Sequence, residues 1–356
     1  MLALGLMSGT SLDGVDAALM VTDGIAVERL GPALTLPYAP EMRERLRGVL
    51  GGHGPVAEVE RDITAFHSEA VSRLLGEAGL DAAEVDVIGF HGHTILHRPE
   101  ERRTWQIGDG RLLADLTGIP VVNDFRTADV LAGGQGAPLV PVFHRALAAG
   151  IGRPVAVLNL GGVGNVTWIG EDDSLLAFDT GPGNALIDDW ALTHTGKPVD
   201  EHGRLARSGR PAAERVARFA QHPFFTRTPP KSLDRDDFRH FASDLVAGLD
   251  AADGAATLTA FTARAAGLAR AHFAKPATRW LVCGGGRHNP AVMAALAAEF
   301  NVPVEPVEAV GWDGDALEAQ AFAYLAVRSL RGLPLTYPET TGGERPLSGG
   351  TFHPGP

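Results

Sequence analysis

Asp179 stands in the stretch FDTGPGN, residues 178–184, where an apolar run ends in residues that force a sharp turn. A carboxylate at such a strand end is aimed rather than free. The helix read to follow it, ALIDDWALTHTG, turns its first N–H groups toward the same region. That pairing suits proton abstraction, with a fixed base beside donors that can meet a developing anion. Two other readings attach to these residues. Asp-Thr-Gly is also the local signature of aspartic proteases, but those need two facing carboxylates sharing a proton, and the triplet occurs once. An aspartate that only bonds its own turn is the plain alternative.

A second kind of chemistry is suggested by glycine-rich turns. MSGTSLDGVD, residues 7–16, has the outline of a phosphate-binding loop, Gly9-x-x-x-x-Gly14, yet Val15 stands where such a loop carries lysine. Read as a hairpin tip, it would let backbone N–H groups and the hydroxyls of Ser8, Thr10 and Ser11 approach an anion closely. An ordinary Asp-Gly hairpin is the competing reading. It loses weight because NLGGVGNVT repeats the device with Gly161, Gly162, Gly164 and Asn165. Two such tips could grip a triphosphate. VCGGGRHN, with Gly284, Gly285, Gly286 and Asn289, supplies a flat surface for a nucleotide base. The remaining G-x-G fragments do not complete a dinucleotide fingerprint.

FHGHTILHRP contributes His91, His93 and His97. Neither His-Glu-x-x-His nor a Cys/His pairing accompanies them, so they read as polar lining of a substrate pocket rather than a zinc site. Cys283 reads as a small buried hydrophobe beside the glycines.

The elements that must position these residues fall into two similar series. Each half opens with a hairpin whose turn is glycine-rich. The first hairpin centres on Asp13-Gly14, with IAVERLGPALTLP as a third strand. Each half later has a strand running into a glycine-rich loop, FHGHT in the first and CGGGRHN in the second. Helices are read over residues 55–78, LLADLTG, residues 256–274 and the amphipathic stretch GDALEAQAFAYLAVRSL. Asn184 is read as the cap of its helix. RTADVLAGGQGAPLVP reads as irregular chain at a lobe junction, and the tail after Pro334 as irregular surface chain. The layout predicts two mixed sheets with helices facing across a cleft, the lobes comprising residues 1–130 plus 325–356 and residues 131–324.

A length of 356 residues suits two lobes. The net charge of −12 argues against nucleic acid as partner. The single cysteine fits a reducing compartment. No signal peptide and no run near the roughly 18 apolar residues of a membrane span is read, so the expectation is a cytoplasmic enzyme without a membrane partner.

MSGTSLDGVD, HGHTILHRP, QIGDG, VVNDFRTADVLAGGQGAPLVPVFH, NLGGVGNVT, FDTGPGN and DALEAQAFAYLA together resemble the anhydro-N-acetylmuramic acid kinase family. The likeness runs from the first strand to the last helix. It implies an α/β, two-lobed, actin-like ATPase (ribonuclease H-like) fold, with duplicated mixed β-sheets flanked by helices and a central cleft. The implied reaction uses ATP and Mg2+. Water opens the internal bridge of 1,6-anhydro-N-acetylmuramic acid while O6 is phosphorylated, giving N-acetylmuramic acid 6-phosphate for cell-wall recycling.

The resemblance also implies roles. Asp179 falls at the family's catalytic base. Gly9, Thr10, Ser11, Leu12, Asp13, Gly14, Val15 and Asp16 match its ATP-binding segment. His91, His93, Thr94 and Arg126 lie where the sugar is expected, Arg126 being the candidate for the lactyl carboxylate, with Asn184 and Glu318 completing that set. Many members of the wider superfamily carry an aspartate on the first strand for magnesium. Leu6 and Met7 occupy that neighbourhood, which leaves Asp13, Asp16 or Glu318 as metal-side carboxylates. A homodimer is plausible for such a family and is not legible in this chain. Two alternatives remain, a non-catalytic sugar or nucleotide sensor and another small-molecule kinase on the same fold. A sensor would not need a base at Asp179.

Overall fold

The computed structural model describes residues 1–9, 11–233 and 238–356. They divide into two compact units, Met1–Ala149 with Asp315–Pro356, and Gly150–Gly314.

In the first unit the chain opens with β1 (Leu2–Ser8), β2 (Gly14–Thr22) and β3 (Val27–Pro37), an antiparallel meander. Helices α1 (Pro40–Gly48) and α2 (Val56–Ala78) follow, then β4 (Val87–Arg98), β5 (Arg103–Ile107), α3 (Gly110–Thr117), β6 (Val121–Asn123), α4 (Thr127–Leu131) and α5 (Pro141–Leu147). Among the described residues seven strands form one sheet, in the order β12-β6-β4-β1-β2-β3 with β5 paired to β4. Strands β4 and β6 run parallel to β1. Leu4, Leu6, Ile88, Phe90 and Val121 are fully buried with Ile63 and Leu74 of α2, so apolar strand residues and one stripe of a helix make this core.

The second unit repeats the plan. Strands β7 (Val155–Leu160), β8 (Val163–Ile169) and β9 (Leu175–Pro182) form an antiparallel meander, followed by α6 (Ala185–Thr195), α7 (Arg204–Ser208), α8 (Ala213–Phe219), α9 (Arg239–Val246) and α10 (Ala251–Leu268). Then come β10 (Arg279–Cys283), α11 (Pro290–Phe300) and β11 (Val304–Pro306). The order β11-β10-β7-β8-β9, with β10 and β11 parallel to β7, matches β6-β4-β1-β2-β3. The predicted duplication of mixed α/β sheets is therefore present.

The chain then returns to the first unit with α12 (Leu317–Leu330), α13 (Pro338–Thr341) and β12 (Thr351–His353). Helix α12, read as amphipathic, is buried nearly all round. Leu317 and every residue from Ala319 to Arg328 are buried. Gly5 and Gly89 explain how: a Cβ would lie 1.7 Å from the Ala319 carbonyl oxygen at the first and 2.0 Å from that of Phe322 at the second. The unit boundaries at 149/150 and 314/315 differ from the expected 130/131 and 324/325. All of α12 packs on the first sheet, and α4 occupies the start of the stretch expected to be irregular, whereas residues 132–140 are irregular as read.

The tail also departs from its reading. Leu335, Thr336, Thr340 and Thr341 are buried, and β12 pairs antiparallel with β6. The hydroxyls of Thr336 and Thr341 donate to Asp129 Oδ1 at 2.6 and 2.8 Å, which ties this segment to α4.

Candidate active site

In the second unit, strand register sets a polar row. Asn159 of β7 lies opposite Asn165 of β8, and Asn165 lies opposite Asp179 of β9. Directly opposed residues share a face of the sheet. The neighbouring row, Leu158, Val166 and Phe178, is buried in the core. Alternation thus places three half-buried polar side chains on the other face. The register shifts between Gly164 and Asn165, leaving Thr180 as an extra residue on β9 next to Asp179. A bulge of this kind re-aims the adjoining side chain.

Distant chain helps to hold Asp179 in place. Its N–H donates to the Lys231 carbonyl at 2.9 Å, and its Oδ2 accepts from Leu233 N–H at 2.8 Å. Six residues on, the chain enters α6. Asn184 occupies the cap position there, but its side chain makes no capping bond. Its Nδ2 donates to the Leu160 carbonyl at 2.7 Å, and its backbone N–H donates to Gly161 at 2.7 Å. Gly183 N–H donates to Gly162. Asn184, expected beside the sugar, therefore knits the glycine turn at 161–162 to the start of α6.

The third glycine stretch joins the same constellation. Gly284 follows β10 at φ +71°, and a Cβ there would lie 2.3 Å from Asn159 Oδ1. A left-handed backbone with no room for a side chain accounts for glycine at this position. Residues Gly285–His288 form a 3₁₀ turn, after which Asn289 caps α11 through Oδ1 to the N–H groups of Ala291 and Val292. Gly161, Gly162, Gly164, Asn165, Asp179, Asn184 and Gly284 to Gly286 thus cluster at the same ends of β7–β10, with the Asn289 cap beyond.

The first unit carries a different set. The tip between β1 and β2 is longer than a two-residue Asp-Gly turn: Leu12 is left-handed at φ +62°, its N–H bonded to the Gly9 carbonyl, and Gly14 already begins β2. Ser11 and Asp13 are exposed at this tip, whereas Leu12 and Val15 are buried. Thr10 lies outside the described residues. Ser8, at the end of β1, bonds the Tyr38 hydroxyl at 2.7 Å and His93 Nδ1 at 2.9 Å. Burial pushes the His93 pKa down to about 4.

The stretch read as a loop after VIGF is strand instead, because β4 continues to Arg98 and pairs with β5. Thr94 accepts from Gln106 Nε2 across that pair at 3.1 Å. His91 is 4 % exposed. Its Nδ1 donates to the Gly92 carbonyl at 2.9 Å, and Arg126 reaches its Nε2. Burial, and then the Arg126 charge, hold His91 well below its ordinary pKa. Arg126 also donates through Nη1 to Gly136 at 2.7 Å. Glu318, at the start of α12, has its pKa raised by burial and by the Asp16 carboxylate, with Arg126 opposing. Its neighbours are therefore Asp16 and Arg126.

The model of the anhydro-N-acetylmuramic acid kinase family matches residues 1–355. The chain belongs to that family. Relatives named anhydro-N-acetylmuramic acid kinase are 67 % identical in Paramagnetospirillum magneticum, covering 99 % of both chains, and 58 % identical in Rhodospirillum rubrum, covering 99 % of this chain and 94 % of that one. A third, from Acidiphilium cryptum, is 54 % identical over 99 % of both. A kinase of this family calls for a divalent cation beside its nucleotide phosphates. Magnesium takes one or two carboxylates and draws its other ligands from water and phosphate. Asp16 and Glu318 are carboxylates that repel one another, which is the kind of donor set such a cation takes. Among the described residues no group of three or more His, Cys, Asp or Glu forms an all-protein cage. No described helix is long and apolar enough to cross a membrane.

The sequence reading missed Lys231, Leu233, Asn159 and Tyr38. Asn159 had a signal, since it and Asn165 lie three residues either side of Gly162, the turn. The contacts of Lys231 and Leu233 with Asp179 span more than fifty positions of chain and left no local signal.

Proposed function

We propose that this chain is an ATP-dependent kinase that opens the 1,6-anhydro ring of 1,6-anhydro-N-acetylmuramic acid and phosphorylates O6. The observation that carries the reading is the Asp179 carboxylate, held by Leu233 N–H beside a strand bulge and just ahead of α6. A carboxylate oriented in this way can act as a general base.

Asp179 takes a proton from the water that attacks the anomeric carbon. The bond from that carbon to the bridge oxygen breaks, its electron pair stays on O6, and O6 takes the γ-phosphoryl group. The products are N-acetylmuramic acid 6-phosphate, ADP and the proton held by Asp179. An ether oxygen is a poor nucleophile, so cleavage and transfer are coupled. Backbone N–H groups of the glycine tips at 9–16 and 161–164 cradle the nucleotide phosphates, and Gly284 to Gly286 lie against its base. Arg126 binds the lactyl carboxylate, with His91, His93 and Thr94 lining the sugar. Asp16 and Glu318 would hold magnesium, which supplies charge neutralisation to the phosphates when bound.

The test is turnover of the anhydro sugar with ATP and magnesium in water enriched in heavy oxygen. The label is expected on the anomeric hydroxyl of a 6-phosphate product. A phosphorylated sugar with an intact bridge would show another small-molecule kinase, and binding without turnover would show a sensor. Asp179→Asn is expected to lower turnover by roughly 10²-fold or more, with ATP still bound.

A further inference from the structure

We propose that Lys231 is a positioning residue whose buried ammonium anchors the chain segment that orients the Asp179 carboxylate. The inference rests on Asp179 being the base.

Residues 231–233 belong to no helix or strand, yet they bond Asp179 of β9 at two points. Asp179 N–H donates to the Lys231 carbonyl at 2.9 Å, and Leu233 N–H donates to Asp179 Oδ2 at 2.8 Å. In a continued ladder, Leu233 N–H would meet a backbone carbonyl of β9; here it meets the carboxylate. The orientation of the base is thus set by main chain two residues past Lys231, and main chain outside regular structure is only as fixed as its anchors.

Lys231 is that anchor. The residue is 7 % exposed. Its Nζ donates to the carbonyls of Phe224 and Phe225 at 2.9 and 3.2 Å, and stands 3.3 Å from His272 Nε2. It lies 4.7 Å from the centroid of the Phe224 ring and 5.4 Å from that of Phe178, the residue preceding Asp179. A buried ammonium is costly unless its donors are used, and these carbonyls and ring faces use them. The side chain therefore reaches into the core side of β9 while its carbonyl pairs with Asp179 on the edge. Burial, with a smaller contribution from Arg227, lowers its pKa to about 8, so it carries most of its charge at neutral pH. A lysine whose part was packing alone could be replaced by methionine, which keeps the stem and loses the donors.

The experiment compares Lys231→Met, Lys231→Arg and Leu233→Pro in the full chain, with Asp179→Asn alongside. Displacement of a reacting group by about 1 Å costs on the order of 10²-fold in rate. Lys231→Met is therefore expected to lower kcat by about 10- to 100-fold, with the KM values for ATP and sugar within about twofold of the parent. Lys231→Arg, which can donate to the same carbonyls, is expected to recover most of that loss. Leu233→Pro deletes the Leu233 N–H that donates to Oδ2 and is expected to lower kcat in the same way; it carries the test if Lys231→Met does not fold. Parental kcat in a folded Lys231→Met or in Leu233→Pro overturns the positioning role, as does an Arg variant no better than Met. Near-parental turnover in Asp179→Asn overturns the base assignment beneath it, and is read independently of the lysine variants.

Discussion

The guanidinium of Arg126 donates through Nε and Nη2 to the single Nε2 atom of His91, at 3.2 and 2.9 Å. Nδ1 of that ring donates to the Gly92 carbonyl, so the imidazole carries its proton on Nδ1 and is neutral. The third branch, Nη1, donates to Gly136, whose own N–H donates to Asp129 Oδ2. Asp129 in turn accepts from Thr336 and Thr341. A relay of bonds therefore runs from the chain tail to the guanidinium proposed to bind the sugar carboxylate.

Arg126→Lys should break this arrangement while keeping the charge. An ammonium has no planar fork and cannot span His91 and Gly136 while presenting a second edge to a carboxylate. The KM for the anhydro sugar is expected to rise about tenfold or more, equivalent to about 1.4 kcal/mol, with the KM for ATP unchanged. Steady-state kinetics at saturating ATP measures this, and an unaltered sugar KM would remove Arg126 from the substrate site.

Much of this was legible because it is local. Meander turns, alternating apolar strands and glycine stops such as Gly118 after α3 are written within a few residues of where they act. The duplicated series showed as a repeated order of such signals. What stayed hidden depends on distant chain. The burial of α12 follows from two glycines on other strands, Gly5 and Gly89, rather than from its own periodicity. Asn184 reads as a helix cap, yet its side chain was captured by the Leu160 carbonyl 24 positions earlier. The tail reads as loop because its hydroxyls look solvated until Asp129 is placed beneath them.

Those glycines give a stability prediction. A Cβ at residue 89 would meet the Phe322 carbonyl at 2.0 Å, and both are backbone in a packed layer. Gly89→Ala must displace α12 from the sheet, and overpacking of this kind costs about 1–3 kcal/mol or more. A clear fall in Tm is expected, with loss of soluble protein at growth temperature. Gly48→Ala, where a Cβ meets nothing within 4 Å, is the control and should leave Tm nearly unchanged. Equal Tm values for the two variants would show that α12 does not need the glycine.

Glu318 makes a separable prediction. Its carboxylate is driven toward protonation by burial and by Asp16, so its charge is a cost to the protein without a cation. Glu318→Gln removes that cost and one metal-side oxygen. The Tm measured without magnesium is expected to hold or rise, while the magnesium concentration giving half-maximal activity rises about tenfold, roughly 1.4 kcal/mol of lost binding. A variant with lower Tm and an unchanged magnesium requirement would refute the assignment.

Acid sensitivity follows from two buried rings in the first unit. His67 and His93 are both fully buried, and burial lowers each pKa from 6.5 to about 4. His67 Nδ1 donates to the Ile63 carbonyl at 2.7 Å, and its Nε2 has no hydrogen-bond partner, so protonation would place a charge where nothing receives it. The unfolded chain binds these protons near 6.5, the folded chain only near 4. Between those values the unfolded state holds more protons, so stability rises with pH. The contribution is complete above 6.5 and is lost as pH falls through about 4. The gap corresponds to roughly 3 kcal/mol per ring. Tm is therefore expected to fall steeply from pH 6.5 to 4, and His67→Leu, which cannot bind a proton, should show a shallower fall whatever its Tm at neutral pH. Parallel Tm profiles for the variant and the parent would mean that His67 takes up its proton in the folded chain as readily as in the unfolded one.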